Sequence, residues 1–206
     1  MLLLVVVALL LLGTNYEARL YVQKRVAAQL ASSLGVSAHP TVRIGGFPFL
    51  WNLLADGKVS SVHVHIGPTS SGSFQVAAVN VTVDRVRVQT SALLDGGAVK
   101  VLSAGPADIE AVVTASQISA AVGQPIRLLA NGDASMVIFG SPVTMRPSIS
   151  PGGGIALGVP GVPTARLPLP SPFHLGGCAP SLHISAGQAA FGCHFQIVPQ
   201  AILQRA

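Results

Sequence analysis

The sequence predicts an α+β fold, with one long amphipathic helix near the N-terminus followed by a strand-rich remainder. Three observations carry this. Apolar residues recur at three- and four-residue spacing over residues 16–34. Alternation of apolar and polar residues takes over at 41–44, 59–66 and 76–89. Gly- and Pro-bearing turn signals then cut the stretch 126–149 into short strands. A length of 206 residues suits one domain or two small ones. The division expected is a leader or anchor over 1–14 and a single domain over 15–206.

The chain opens with "MLLLVVVALLLLGTNYEARL", in which residues 2–12 are uninterrupted Leu, Val and Ala. That length fits the apolar region of a secretory signal and falls short of the ~20 residues that span a bilayer. No basic stretch precedes it and no A-x-A-like cleavage site follows. We expect export, either with translation beginning upstream of residue 1 or with the segment kept as an uncleaved anchor. A buried core helix is the other reading, and the lack of any polar face counts against it.

Tyr16 to Leu34 reads as the helix. Leu20, Ala27, Leu30, Ala31 and Leu34 form its stripe, and Glu17, Arg19, Lys24, Arg25 and Gln29 take much of the remaining circumference. Gly35 ends it. After the short strand "TVRI" comes "GGFPFLWNLL" (45–54), which holds the only Trp and two of the seven Phe. Pro48 argues against both a helix interior and a central strand, so the expectation is irregular backbone. Such a segment is either a core plug between helix and sheet or a surface that meets lipid.

In "VSSVHVHI" (59–66), Val62, Val64 and Ile66 share one face, and Ser61, His63 and His65 the other. In "VAAVNVTVDRVRVQ" (76–89), Val79, Val81 and Val83 hold one phase while Val86 and Val88 hold the opposite. The slip at Asp84-Arg85 predicts a bulge or sharp bend, and long strands that bend can curl around something. A helix is expected over Ser116–Val122, with a capping box from Thr114 and Gln117 and a stop at Gly123 and Pro125. Strands follow at 126–130, 134–139 and 143–149. The Pro-rich stretch 151–172 is too apolar for a solvated tether and reads as edge strands and turns lying on the body. Residues 181–198 supply a closing hairpin.

Charged residues make up only 9% of the chain, against roughly 25% in ordinary soluble domains. Mean hydropathy is +0.62. Either much of the chain lies in a membrane, or it folds around more apolar area than a core requires, as a protein wrapping a greasy ligand does. The net charge of +5 favours anionic partners. The nine Arg and three Lys are scattered, however, and no row of aromatics stands ready to stack bases, so nucleic acid is not an expected partner.

Catalytic constellations are missing from the sequence: it holds no G-x-S-x-G, Walker loop or H-E-x-x-H. Asp108 and Glu110 share a strand face and could form a carboxylate pair, but an exposed polar face is the simpler reading. His63 and His65 project to one side of a strand in a geometry that metal sites use. A third ligand would have to come from His39, His174, His183 or His194, and we read the pair as part of a polar sheet face. Cys178 and Cys193, 15 residues apart, are the only cysteines. In an exported chain they should pair, and closing such a loop gains about 3 kcal/mol. A Cys/Cys/His/His zinc site with His183 and His194 is the alternative, though its spacing does not follow the usual pattern.

The order of leader, helix, "VRIGGFPFLWNLLADGKVSSVHVHI" (42–66) and alternating strands resembles the LmeA-like family of mycobacterial and other actinobacterial envelope proteins. The specific match is "GFPFL" at 46–50, followed by Gly57 and a second strand. Beyond 42–66 the likeness is one of architecture, over roughly residues 15–200. The resemblance implies a tubular lipid-binding (BPI-like) module, in which a long amphipathic helix packs against a strongly curved antiparallel sheet and encloses an apolar cavity. It also implies phospholipid binding in the cell envelope without catalysis.

The function expected is therefore that of an exported, non-catalytic envelope protein that carries or presents phospholipid or glycolipid, works at a membrane surface, and needs no cofactor or metal. Phe47, Pro48, Phe49, Leu50, Trp51 and Leu53, with Leu20, Ala27 and Leu30 of the helix, are the expected lipid-binding residues. If they line or guard a cavity, Phe49→Ser and Trp51→Ser should both lose lipid before they lose fold. A membrane-embedded β-barrel and an envelope enzyme with a His-centred site are the rival readings. The first is opposed by the helix and the absence of aromatic girdles, the second by the missing catalytic motifs.

Overall fold

The structure, a computed structural model, describes residues 2–34, 40–71, 74–91, 100–149, 154–158, 165–168 and 178–203. In chain order the elements are α1 (Leu2–Leu34), β1 (Thr41–Gly45), α2 (Phe49–Asp56), β2 (Lys58–Ile66), β3 (Thr69–Ser71), β4 (Phe74–Val76), β5 (Ala78–Val88), β6 (Val101–Ser103), β7 (Ala107–Thr114), α3 (Ala115–Val122), β8 (Ile126–Leu128), β9 (Ala134–Ile138), β10 (Ser141–Ile149), β11 (Gly154–Gly158), β12 (Ala165–Pro168), β13 (Ala179–Ser185), β14 (Gln188–Phe195) and α4 (Gln200–Leu203). This is an α+β fold whose sheets are mostly antiparallel. The chain divides into two compact units. One is Met1–His65, Val81–Ala107 and Gln196–Ala206, and the other is Ile66–Asn80 and Asp108–Phe195.

In the first unit, β2 lies between β1 and β5, and β6 pairs with β5. Alternation in β1 turns Val42 and Ile44 inward, where Phe49, Leu53, Val59, Val86 and Val88 complete a buried core. Val22, Val26, Ala27 and Leu30 of α1 pack against that core. α1 runs without a break through residue 14, and no described helix is long and apolar enough to cross a membrane. A clean division into apolar and polar faces is not found. Tyr16 and Tyr21 are exposed while Arg19 and Arg25 are half-buried, as long arginine stems allow. Leu20 is half-buried and stands outside the core, whose helical stripe instead uses the 22, 26, 30 spacing. Gly35, the expected stop, lies outside the described residues.

The expected irregular segment is corrected: Phe49–Asp56 is a helix. Pro48 disrupts a helix interior but suits its start, and here it is the N-cap residue, with φ −76°. Gly57 closes the helix in the left-handed region (φ 61°), and its N–H reaches the carbonyls of Asn52 and Leu53.

The expected bend in β5 is present. Asp84 and Arg85 are exposed in succession, Arg85 adopts φ 51°, and Asp84 N–H donates to Pro106 O at 2.9 Å. The strongly curved sheet is not: no sheet is strongly curled. Strong curl needs bulges repeated on neighbouring strands. The β9–β10 and β13–β14 ladders instead hold one register throughout, and a register shift at Arg87/Val88 lies where β5 meets β6.

In the second unit, β7, β14 and β13 are successive neighbours, β8 to β12 form a five-stranded ladder in the order β12-β11-β10-β9-β8, and β3 pairs with β4. β11 and β12 come from the Pro-rich stretch and extend this ladder at its edge, as expected for its described part. The core gathers Val76, Val113, Ile118, Ile126, Leu128, Met145 and Phe191. α3 carries the expected capping box: the Thr114 side chain accepts from Gln117 N–H and Gln117 Oε1 accepts from Thr114 N–H. Cys178 and Cys193 form a disulfide at the open end of the β13–β14 hairpin, with their Cα atoms 5.5 Å apart.

Candidate functional site

The site grows from the geometry of α2 in the first unit. At about 100° per residue, Phe49 and Leu53 fall on one side of the helix, Leu50 and Leu54 on the next, and Trp51 beyond. The first pair enters the core. Leu50, Leu53 and Leu54 border a cleft of about 450 Å³, whose other wall is Ala18, Tyr21 and Val22 of α1. Glu17 and Thr90 add polar groups to this mostly apolar lining. A hydrogen bond pins the two helices together: Leu50 N–H donates to Asn15 Oδ1 at 2.9 Å. That N–H is one of the unpartnered donors of a helix start, and since Pro48 has no capping side chain, Asn15 supplies the acceptor from another helix. Arg25 Nη1 donates to the Tyr21 hydroxyl at 3.1 Å, which orients the ring at the cleft.

Large apolar side chains stand in solvent beside the cleft. Phe47 is 71% exposed, Trp51 72% and Leu54 55%. Pro48 is exposed as well. A cleft of this volume lies in the ordinary range of small-molecule sites, about 300–1,000 Å³, and its lining favours an alkyl chain over a polar ligand.

Of the expected binding residues, the structure brings Leu50 and Leu53 together in the cleft. Phe49, Ala27 and Leu30 belong to the core and its packing layer, Leu20 stands outside both, and Phe47, Pro48 and Trp51 form the exposed flank. Sequence reasoning missed Glu17, Ala18, Tyr21, Val22, Leu54 and Thr90. The spacing of Leu50 with Leu54, and of Ala18 with Tyr21 and Val22, was available as a signal, since each set lies on one helical face. Once Pro48 is taken as a helix start, the first set becomes visible.

The polar candidates go elsewhere. His63 Nδ1 lies 3.1 Å from Thr82 Oγ1. Asp108 pairs with His194 at 2.7 Å, and Glu110 accepts from Asn80 at 3.3 Å, all on exposed surface. His39 and His174 lie outside the described residues.

Comparison with curated proteins and with solved structures finds no match. The profile of the LmeA-like phospholipid-binding family matches residues 17–194, which includes every residue lining the cleft and the whole "GFPFLW" segment. A match over most of the chain shows the relationship, and an apolar cleft edged by exposed aromatics is consistent with it: the chain belongs to the LmeA-like phospholipid-binding family.

Proposed function

We propose that this protein is an exported cell-envelope lipid carrier or presenter that holds a phospholipid or related glycolipid by its acyl portion, without catalysis. The observation that supports this most is the α1–α2 cleft with its apolar lining and its flank of exposed Phe47 and Trp51. Shielding an acyl chain from water gains about 0.8 kcal/mol per CH₂, so a sixteen-carbon chain is worth roughly 12 kcal/mol where a dry lining of matching length is supplied. Leu50, Leu53, Leu54 and Val22 begin such a lining. Trp51 and Phe47 then meet the membrane during loading, since an aromatic ring is favoured at the bilayer interface. The N-terminal apolar run either directs export or holds the protein at the membrane, and residues 15–206 act as the binding domain.

Native mass spectrometry of protein purified without detergent tests this reading. The expected result is a bound species heavier by one phospholipid or glycolipid mass. A folded protein that carries no lipid, and takes up none from labelled phospholipid vesicles, would defeat the proposal.

A further inference from the structure

The β9–β10 hairpin in the second unit presents a feature that the fold does not account for. Its two-residue turn is Phe139-Gly140, with φ of 50° and 82°. Positive φ at both central positions is the geometry that Asn-Gly fills best. Phe pays steric strain there, and its side chain is 103% exposed, so it packs on nothing. A bulky apolar residue held in a strained conformation, entirely in water, points to a use outside the folded chain.

Its surroundings say which use. Ile138 faces Ser141 and Val137 faces Pro142 across the ladder. Met145 is in the core and Met136 packs against it, and Val143 pairs with Met136 on that side. Val137 (53% exposed) and Pro142 occupy the outer face with Phe139 at the end. From Ala134 to Met145 the sequence holds no charged residue. Further along the same outer face come Ser135 and Thr144, with Arg127 paired beside Ser135. Arg146, its side chain 82% exposed, follows on β10, and its Nε donates to Asp133, which is only 15% exposed. The outer face thus grades from an uncharged apolar tip, through hydroxyls, to two arginines. Ser135 lies four residues from Phe139, about 13 Å at strand rise.

We propose that this hairpin inserts into a bilayer containing anionic phospholipid. Phe139, Val137 and Pro142 enter the boundary between headgroups and acyl chains, and Arg127 and Arg146 meet the phosphate layer. The spacing fits, because an interfacial element buries about 5–10 Å into that boundary, which leaves Arg127, beside Ser135, at headgroup depth, with Arg146 two residues further from the tip. The inference rests on the lipid-carrier reading only for the choice of membrane, and it concerns docking rather than the acyl cleft.

The test is co-sedimentation of the full chain with vesicles of 70% phosphatidylcholine and 30% phosphatidylglycerol. Phe139→Asn suits the turn better than Phe, so the variant keeps or raises its melting temperature. Its vesicle affinity should fall about tenfold, the scale expected for withdrawing one Phe from apolar surroundings. Arg127→Gln should lower affinity about fivefold at low salt and little at high salt. Lipid carried through purification should be unchanged in both variants, which separates this proposal from the cleft. Wild-type affinity in Phe139→Asn would overturn it, as would a wild-type protein that ignores these vesicles. So would a Phe139→Asn variant whose lost binding tracks a shift from dimer to monomer in solution, since the tip would then join two copies of the chain.

Discussion

Phe49 and Trp51 stand two residues apart and answer to different surroundings. Phe49 is 2% exposed, among Val42, Ile44 and Val86, whereas Trp51 is 72% exposed on the far side of the same helix. Their serine variants should therefore part company, where the sequence alone made them behave alike. Phe49→Ser leaves a cavity and places a hydroxyl in apolar surroundings, at a cost of about 3–5 kcal/mol. That is a large share of the ~5–15 kcal/mol that holds a domain together. Trp51→Ser changes stability by no more than about 0.5 kcal/mol, as surface changes do, and should reduce phospholipid uptake from vesicles. Thermal melting of delipidated protein, alongside lipid uptake, reads both. Equal melting of the two variants would contradict the burial described, and full uptake by Trp51→Ser would remove Trp51 from the loading surface.

At the scale of the element, the fold depends on how α2 begins and ends. Pro48 starts it, Asn15 satisfies its first turn, and Gly57 turns the chain directly into β2. Gly57 O also accepts from Val88 N–H at 2.8 Å, so the helix end is stitched to β5. A Cβ on Gly57 would lie 2.7 Å from Val88 O, in a conformation with φ 61°. Gly123, which ends α3, has φ 74° but open space around it. Both Ala variants bear left-handed strain of about 1 kcal/mol, and only Gly57→Ala adds a backbone collision. We expect Gly123→Ala to melt a few degrees lower than wild type, at about 2–4 °C per kcal/mol, and Gly57→Ala to melt lower still. Matching melting temperatures would show that β5 yields without penalty.

At the scale of the whole molecule, a binder is stabilised by its ligand through mass action. Lipid held at 100 to 1,000 times its dissociation constant adds about 2.7–4.1 kcal/mol. Protein stripped of lipid should melt measurably lower and recover when phosphatidylglycerol is returned, and unchanged melting on both steps would argue against a bound acyl chain. Much of this molecule was legible in its residues. The alternation in "TVRI" and "VSSVHVHI", the phase slip at Asp84-Arg85 and the Thr114–Gln117 capping box each act over a few neighbours, the Cys178–Cys193 pair joins the only two cysteines, and each stands where the sequence put it. The "GFPFL" core pointed to the family that the chain belongs to. Tertiary structure alone decided three further matters: that Pro48 begins a helix, that the sheets stay without strong curl, and that Leu54, Ala18 and Tyr21 share one cleft. The reason is physical. A capping box or an alternating strand is set by local chemistry, but the acceptor for Leu50 N–H comes from Asn15, 35 residues earlier, and a cleft exists only where two separately specified helices stop short of filling the space between them.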